Sequence, residues 1–393
     1  MKGKLNYNKV LRAFVFLCLI VVIIVCCFEL KKYIIPKDTT VIEEKPNGTD
    51  DNKIKEYSLS MAMVGDLIVH ANVYIDAKIN NTYDFSPMFT DVKDFITSHD
   101  LAFYNQETPF GGKELGYSGY PIFNTPSEVG DEMLHMGFNL ISLANNHTMD
   151  KGERGAVNSL KYWNSKDVMT AGSYLSEEDR KKINIQEKNG ITYTMLAYGD
   201  LTNRAIPYGK PYLLNMYDKN KVKEDIERVR DKVDLLIVSM HWGIEYALQP
   251  SNKQKEIAAY LASLGVDIII GHHTHSVQPI EYIDGTLVIY SLGNFISSQL
   301  YDDNLVGLMT SLKVTKRVEQ EKVTINLSDL EARLIYTYYK GGRTMQSIHT
   351  DHRVIPFDKL TINEFPKYEE FYNKYREVIT SMDPTIIVSA LNE

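Results

Sequence analysis

The stretch "DIIIGHHTHSVQP", residues 267–279, decides how the rest of the chain is read. An apolar run, Ile268 to Ile270, leads into Gly271, His272, His273, Thr274 and His275. The 393 residues contain ten histidines, and three of them fall here. A short apolar run bounded by glycine reads as a buried strand. Its end is therefore a strand end crowded with imidazoles. His273 and His275 stand two apart. That spacing puts both side chains on one side of an extended segment, and a turn at the strand end lets them splay toward two ions.

Other strand ends carry the same chemistry. Asp66 follows "MAMV", and Asn105 and Glu107 close "LAFY". Asn145, Asn146 and His147 close "LISLA", and His241 closes "LLIVSM". In open α/β sheets, ligands bind beyond the carboxyl ends of strands, so these distant loops are expected to meet at one rim. Carboxylate, amide oxygen and imidazole suit Zn, Mn or Fe without thiolates. Two ions about 3.5–4 Å apart need a bridging carboxylate. Each piece alone has a plainer reading: Gly65-Asp66 and Asn145-Asn146 as turns, His241-Trp242 as a packed aromatic pair. Their agreement at successive strand ends favours a metal centre. His99, His135, His349 and His352 lack such a context and are assigned to surface or packing roles.

Strand and helix patterns alternate from residue 57 to about 300. "SLSMAMVGDLIV" reads as a buried strand, "FSPMFTDVKDFITSHD" as helical, and "RGAVNSLKYWNSKD" and "KQKEIAAYLASLG" as helices. Asn189-Gly190 and Asp284-Gly285 mark hairpins. Several neighbouring strands are thus joined by tight turns, which predicts mixed sheets flanked by helices. Strands are expected again in "LVGLMTSLKVTK", "KVTINLSDLEARLIYTYY" and "TMQSIHT", and helix over the polar end, 356–393.

The N-terminus reads differently. Residues 1–12 hold Lys2, Lys4, Lys9 and Arg12 and no acid, and residues 13–28, "AFVFLCLIVVIIVCCF", carry no charge. Extended to 13–33, the run approaches the roughly 20 residues that span a bilayer. The basic flank keeps the N-terminus cytoplasmic and places the main domain, 57–355, outside the cell. A cleaved signal peptide would end in small residues, whereas this run ends in Val25, Cys26, Cys27 and Phe28. Residues 34–56 form a polar tether with little to bury. The three cysteines all lie in the apolar run, so a metal outside must be held by nitrogen and oxygen. The net charge of −8, with four bases gathered at the N-terminus, excludes the basic footprint of a nucleic-acid binder.

"VGDLIVH", "NQETP", "LANNHTMD", "HWGIEY", "GHHTHSVQP" and "YSLGNF" occur in this order. Over about residues 58–300 the ordered set resembles the CapA family, the poly-gamma-glutamate capsule biosynthesis proteins, distant relatives of calcineurin-like metallophosphatases. The resemblance implies an α/β fold, a four-layer α/β/β/α sandwich with a cleft rimmed by two divalent ions (Mn, Zn or Fe). Asp66 would be the first-strand ligand and Glu107 the bridging carboxylate. Asn146, His241 and His273 would hold the second ion, and His275 would return to the first. His147 would be the general acid, and Asn105, Glu245 and Gln278 would line the cleft for substrate. The sequence departs from the metallophosphatase pattern at D-x-H, where Leu67 and Ile68 follow Asp66 and the next imidazole is His70. It departs again at G-D-x-x-D, replaced by Asn105-Gln106-Glu107. His272 is assigned to packing. The family implies a membrane-anchored protein that synthesises, exports or anchors an anionic polymer beside membrane synthetase subunits. A metal-dependent phosphodiesterase or phosphatase and a non-catalytic scaffold of a capsule synthetase complex are the other readings.

Overall fold

The computed structural model describes residues 54–391. The expected anchor at 13–33, its basic leader and nearly all of the tether lie outside them. Among the described residues, no helix is long and apolar enough to cross a membrane.

In chain order, β1 (Lys55–Leu67) leads to a short helix α1 (Ala71–Asp76) and β2 (Leu101–Gln106). Then come α2 (Glu128–His135), β3 (Leu140–Ser142), α3 (Gly152–Trp163) and β4 (Met169–Ala171). The hairpin β5 (Gln186–Lys188) and β6 (Ile191–Gly199) precedes α4 (Lys219–Val229), β7 (Leu235–His241), α5 (Asn252–Ser263) and β8 (Ile268–His272). A second hairpin follows, β9 (Ile280–Ile283) and β10 (Thr286–Ile289), and then β11 (Asn294–Ile296). The remainder is β12 (Val306–Glu319), β13 (Lys322–Lys340), β14 (Thr350–Pro356), α6 (Tyr368–Thr380) and β15 (Ile387–Val388).

Two mixed sheets result. The first runs β14-β13-β12-β1-β2-β3-β4, with β11 beside β1 and β15 beside β13. The second runs β9-β10-β8-β7-β6-β5. The strands that matter for the site are parallel, β1 to β2 to β3 in one sheet and β7 to β8 in the other. Their carboxyl ends therefore share a level within each sheet: Asp66 pairs with Asn105, Asn105 with Ser142, and His241 with His272.

Alternation along the strands sets the packing. Leu236, Val238 and Met240 of β7 form one apolar cluster with Val222, Ile226 and Val229 of α4 and Ile257 and Leu261 of α5. Leu235 and Ile237 face the other way, into a cluster with Met63, Phe103 and Ile141 of the first sheet. A parallel strand buried on both faces reads as a continuous apolar run, as β7 does. On β2, Phe103 stacks on His272 across the sheets, while Tyr104 turns to Trp163 of α3. Helices thus cover the outer face of each sheet. Helix α5 begins at a capping box, with Ser251 and Gln254 each satisfying the other's backbone N–H. Helix α4 begins at Asp218, whose carboxylate accepts from the N–H groups of Asn220 and Lys221.

Three local expectations change. The helical run over 85–100 is split into a 3-10 turn, Ser86–Phe89, and a short helix, Lys93–Thr97. Pro87 opens the turn, and the Thr90 hydroxyl bonds back to the Pro87 carbonyl at 3.3 Å. The strand expected at 344–350 lies later, as β14, because Gly341 turns at φ 133° and residues 341–349 form a loop before pairing with β13 resumes. The C-terminal stretch is not helical throughout: after α6, β15 adds in parallel to β13. Phe371, Tyr375 and Ile379 of α6 join the main core.

Candidate metal centre

Two glycines let the strand ends close on one another. A Cβ on Gly65 would sit 1.9 Å from the Gly293 carbonyl oxygen, and Asp66 N–H donates to that same oxygen at 2.9 Å. A Cβ on Gly271 would sit 2.0 Å from the Tyr290 carbonyl oxygen. Only glycine admits such an approach. Beyond Gly271 the chain leaves the sheet sharply. His273 (φ 92°) and His275 (φ 52°) both adopt the left-handed region that residues with a Cβ rarely visit. Backbone held there by its surroundings is concentrated at functional sites.

This turn brings the predicted ligands together. Ligand atoms of Asp66, Glu107 and His275 all lie within 4.8 Å of one another. His275 Nδ1 is 3.4 Å from Asp66 Oδ2, and its Nε2 is 3.6 Å from Glu107 Oε1. His241 Nε2 is 2.9 Å from Asn146 Oδ1 and 3.9 Å from Glu107 Oε1. His273 sits beside His241, ring centroids 4.8 Å apart, and donates its backbone N–H to Asp66 at 3.3 Å. Asn105 donates from Nδ2 to Asp66 Oδ1 at 2.8 Å. Glu107 thus lies within 4 Å of imidazoles from both halves of the group, the placement a bridging carboxylate needs.

The polar atoms here are not satisfied by the protein. Both carboxylate oxygens of Glu107, Oδ1 of Asn105, Nδ1 of His273 and both ring nitrogens of His272 are buried without a hydrogen-bond partner. Native proteins rarely leave such atoms bare, and each isolated one costs on the order of 1–3 kcal/mol. Several on one small set of side chains mark a place for a cation. The donor set is oxygen and imidazole nitrogen, so the residues present fit a divalent ion.

Protonation agrees with that fit. Burial pushes His272 and His273 down to about 4, and burial with neighbouring imidazoles holds His241 well below its usual value, so these rings are neutral and able to ligate. Burial, then the Asp66 charge, drives Glu107 well above the carboxylate range. Burial also raises Asp66, but hydrogen bonding with His275 and the charges of His272 and His275 outweigh it and leave Asp66 below its usual value. Burial works against a charged His275, yet Glu107 and Asp66 carry it up to about 10. Without a cation, this buried group therefore retains protons shared among His275, Glu107 and Asp66, and an ion entering there must displace them.

The remaining candidates take up distinct positions. His147 borders a cavity of about 190 Å³ together with His275, Glu245, Tyr246 and Ser298. Its Nδ1 lies 2.8 Å from Asp150 Oδ2, and Phe123 meets its ring edge-on. Glu245 is exposed on the cavity wall. Gln278 does not reach the cavity lining: its side chain is buried, accepting from Gln254 Nε2 at 2.8 Å and donating to the Ala247 carbonyl at 2.9 Å. There it holds the loop that carries Glu245. His70 accepts the Ser298 N–H on its Nδ1 at 3.2 Å and borders the cavity. His272, assigned to packing, does stack on Phe103, but its Nδ1 also lies 3.7 Å from Asp66.

Sequence reading missed Asn294, whose Oδ1 is 3.0 Å from His275 Nδ1 and fixes that ring. It also missed Asp150. Both lie inside quoted motifs, "YSLGNF" and "LANNHTMD", but a lone amide or carboxylate there has no signature without the fold. His349 and His352 are buried as packing residues would be, yet they pack through polar contacts described below.

Buried carboxylates, amides and imidazoles joined at parallel strand ends define the class: an α/β protein with a candidate divalent-metal centre. The family model "Bacterial capsule synthesis protein PGA_cap" matches residues 60–299, which contain all these candidate ligands, and the chain belongs to that family. It is 32% identical over 256 residues to the PGA biosynthesis protein CapA of Bacillus subtilis (strain 168), covering 63% of this chain and 66% of that protein. It is 30% identical over 251 residues to the capsule biosynthesis protein CapA of Bacillus anthracis, covering 61% and 60%. The chain thus spans just under two thirds of the length of these relatives. Among solved structures, a hypothetical protein from Thermus thermophilus aligns over 69% of this chain and 98% of its own at 14% identity and a TM-score of 0.41.

Proposed function

We propose that the chain is a membrane-anchored extracellular protein of capsule-polymer synthesis, export or anchoring, acting on poly-gamma-glutamate or a related anionic chain, with a cleft that holds a pair of divalent ions in a four-layer, metallophosphatase-like sandwich. The observation that carries this reading is the set of buried, unpartnered oxygens and nitrogens on Asn105, Glu107 and His273 around Asp66 and His275. The Bacillus relatives, named as a PGA biosynthesis protein and a capsule biosynthesis protein, support the polymer class. The uncharged run at 13–28 with its basic leader supports the anchor and the extracellular placement.

Charge supports the link between metal and polymer. Besides the residues above, the cavity beside the ligands is lined by apolar and aromatic side chains and the amides of Gln299 and Asn304, with no lysine or arginine. An acidic chain in that cavity meets positive charge only from the metal side, where bound cations dominate the local field. Asp66, Glu107, Asn146, His241, His273 and His275 would hold the ions. Bound there, a divalent ion supplies Lewis acidity and lowers the pKa of a coordinated water. The chain's own residues do the rest. Asp150 holds the His147 ring, which borders the cavity and donates a proton to a leaving group. Asn294 fixes His275, and the Tyr120, Tyr246 and Tyr301 side chains shape the entrance.

The test is turnover by the purified full chain loaded with Mn or Zn, on γ-glutamyl chains and on a simple phosphodiester. Cleavage or transfer of γ-glutamyl chains that His147→Ala lowers by about 10²–10⁴-fold is the expected result. Turnover of the phosphodiester alone would replace this reading with a metal-dependent phosphodiesterase. Metal binding without turnover of either, with synthetase subunits still retained, would make the protein a scaffold.

A further inference from the structure

A second cluster borders the same cavity and uses none of the metal ligands. Ser298 Oγ lies between two imidazoles, 2.6 Å from His349 Nδ1 and 3.1 Å from His352 Nε2. The far nitrogen of each ring is pinned. His349 Nε2 is 2.8 Å from the Gly342 carbonyl oxygen, which can only accept. That nitrogen carries the hydrogen, so His349 Nδ1 offers a lone pair to the serine hydroxyl. His352 Nδ1 is 2.8 Å from Asp76 Oδ2, and the same carboxylate oxygen accepts the His352 backbone N–H at 2.8 Å. The His352 ring is therefore set with its Nε2 toward Ser298. The serine backbone is held as well, by its N–H to His70.

Burial disfavours charge on Asp76, but its bonds to His352 outweigh that and keep the carboxyl below its usual range. Burial pushes His349 down. An imidazolium formed on His352 would face this carboxylate, whereas one on His349 would face only a carbonyl. The serine has one hydrogen for these two lone pairs: it rests on His349 Nδ1 at 2.6 Å, and rotation about the Cβ–Oγ bond turns it to His352 Nε2 at 3.1 Å, the ring whose charge the Asp76 carboxylate would stabilise. A nucleophile, a base in hydrogen-bond reach and a third group orienting the base are the parts of nucleophilic catalysis, recognised by geometry and not by order in the chain. The three parts come from β14, the loop after β11, and α1, which the first sheet brings together.

We propose that Ser298 is a nucleophile for acyl transfer on an amide or ester carbonyl, with His352 as its base and Asp76 as the residue that positions His352. The wall around Ser298 combines Ile68, Leu300, Tyr301 and Met345 with the amides of Gln299 and Asn304 and carries no lysine or arginine, which suits an amide or ester segment over a phosphoryl group. Ser298 Oγ bonds to the carbonyl carbon as its proton passes to His352 Nε2. The C–N or C–O bond breaks, and the leaving amine or alcohol takes that proton. Water or a second amine then attacks the Ser298 ester, gives its proton to His352, and releases the acid or a new amide as the proton returns to Ser298. This activity stands apart from the metal reading.

The experiment treats the metal-stripped full chain, purified in detergent, with a fluorophosphonate and reads the adduct by intact mass and peptide mapping. The expected result is about one adduct per chain on Ser298, absent in Ser298→Ala. The labelling rate should fall by roughly 10²–10⁴ in His352→Gln. It should fall at least about tenfold in Asp76→Asn and recover in part in Asp76→Glu, a rescue that a purely structural role would not give. Ser298→Cys treated with iodoacetamide reports access independently of folding defects in the histidine variants. No fluorophosphonate adduct on Ser298 in wild type, whether or not the thiol introduced by Ser298→Cys alkylates, overturns the proposal. Metal content of Ser298→Ala should equal that of wild type, so failure here leaves the metal reading standing.

Discussion

Two buried polar clusters open on one cavity, and they are built on opposite terms. Around Asp66 and Glu107, carboxylate and amide oxygens and imidazole nitrogens are left bare. Around Ser298, both nitrogens of His349 and of His352 and the serine oxygen all have partners. Both sets are desolvated, so burial alone does not separate them. What separates them is closure. The first set leaves its oxygens and nitrogens without protein partners, and oxygen with neutral imidazole suits a cation. The second closes on a single hydroxyl, which points to chemistry done by the protein's own atoms. An unsatisfied cluster and a satisfied one thus carry different information about ligands.

Removing one member of each cluster separates them most strongly. Glu107→Ala should eliminate at least one bound equivalent of Mn or Zn, while Ser298→Ala leaves metal content unchanged, both read by elemental analysis. Equal losses would merge the two clusters into one site. A smaller effect separates ligation from chemistry on the metal side. His147→Ala should lower turnover by about 10²–10⁴-fold with metal content intact, because a positioned proton donor contributes about that much. A mild effect tests the support of the ligands: Asn294→Ala frees the His275 ring and should weaken metal affinity by about 10–100-fold in competition titrations.

The smallest effect is a slope with pH. In the metal-free chain His275 is raised from 6.5 to about 10. A raised folded value means folding takes up a proton, so that stabilisation is full below about pH 6.5 and is lost as pH rises through about 10. Glu107, also raised, acts in the same sense. Denaturation midpoints of stripped protein should therefore fall between about pH 6.5 and 10, and saturating metal, which displaces the His275 proton, should flatten the slope. A flat profile in the stripped chain would contradict the carboxylate pocket around His275.

The convergence of the candidate ligands was legible in the sequence, because strand ends and residue types able to ligate a metal are both local signals. "DIII" and "LLIVSM" announce buried strands, and the residues that follow announce the chemistry. The hairpins at Asn189-Gly190 and Asp284-Gly285 were legible for the same reason, since the turn type demands those residues. The Ser298 cluster was not. Asp76, Ser298, His349 and His352 are ordinary residues in ordinary surroundings until β1, β12, β13 and β14 pair and bring them together, and that pairing spans some 280 residues of chain. The offset of β14 had a related cause. "TMQSIHT" alternates like a strand, but Gly341-Gly342 and the Thr344–Ser347 turn direct the chain into a loop first. Gln278 shows the limit of residue type as a guide, since an amide reads alike whether it meets substrate or, as here, Gln254 and Ala247.

The histidines of "DIIIGHHTHSVQP" are proposed to complete a divalent-metal centre. The direct measurement is metal content of the full chain, refolded or exchanged with Mn and Zn, beside the His273→Ala/His275→Ala double variant. About two equivalents in wild type, lost in the variant, is the predicted result. A wild-type chain that stays metal-free under both ions, or a double variant that keeps its metal, would contradict the claim.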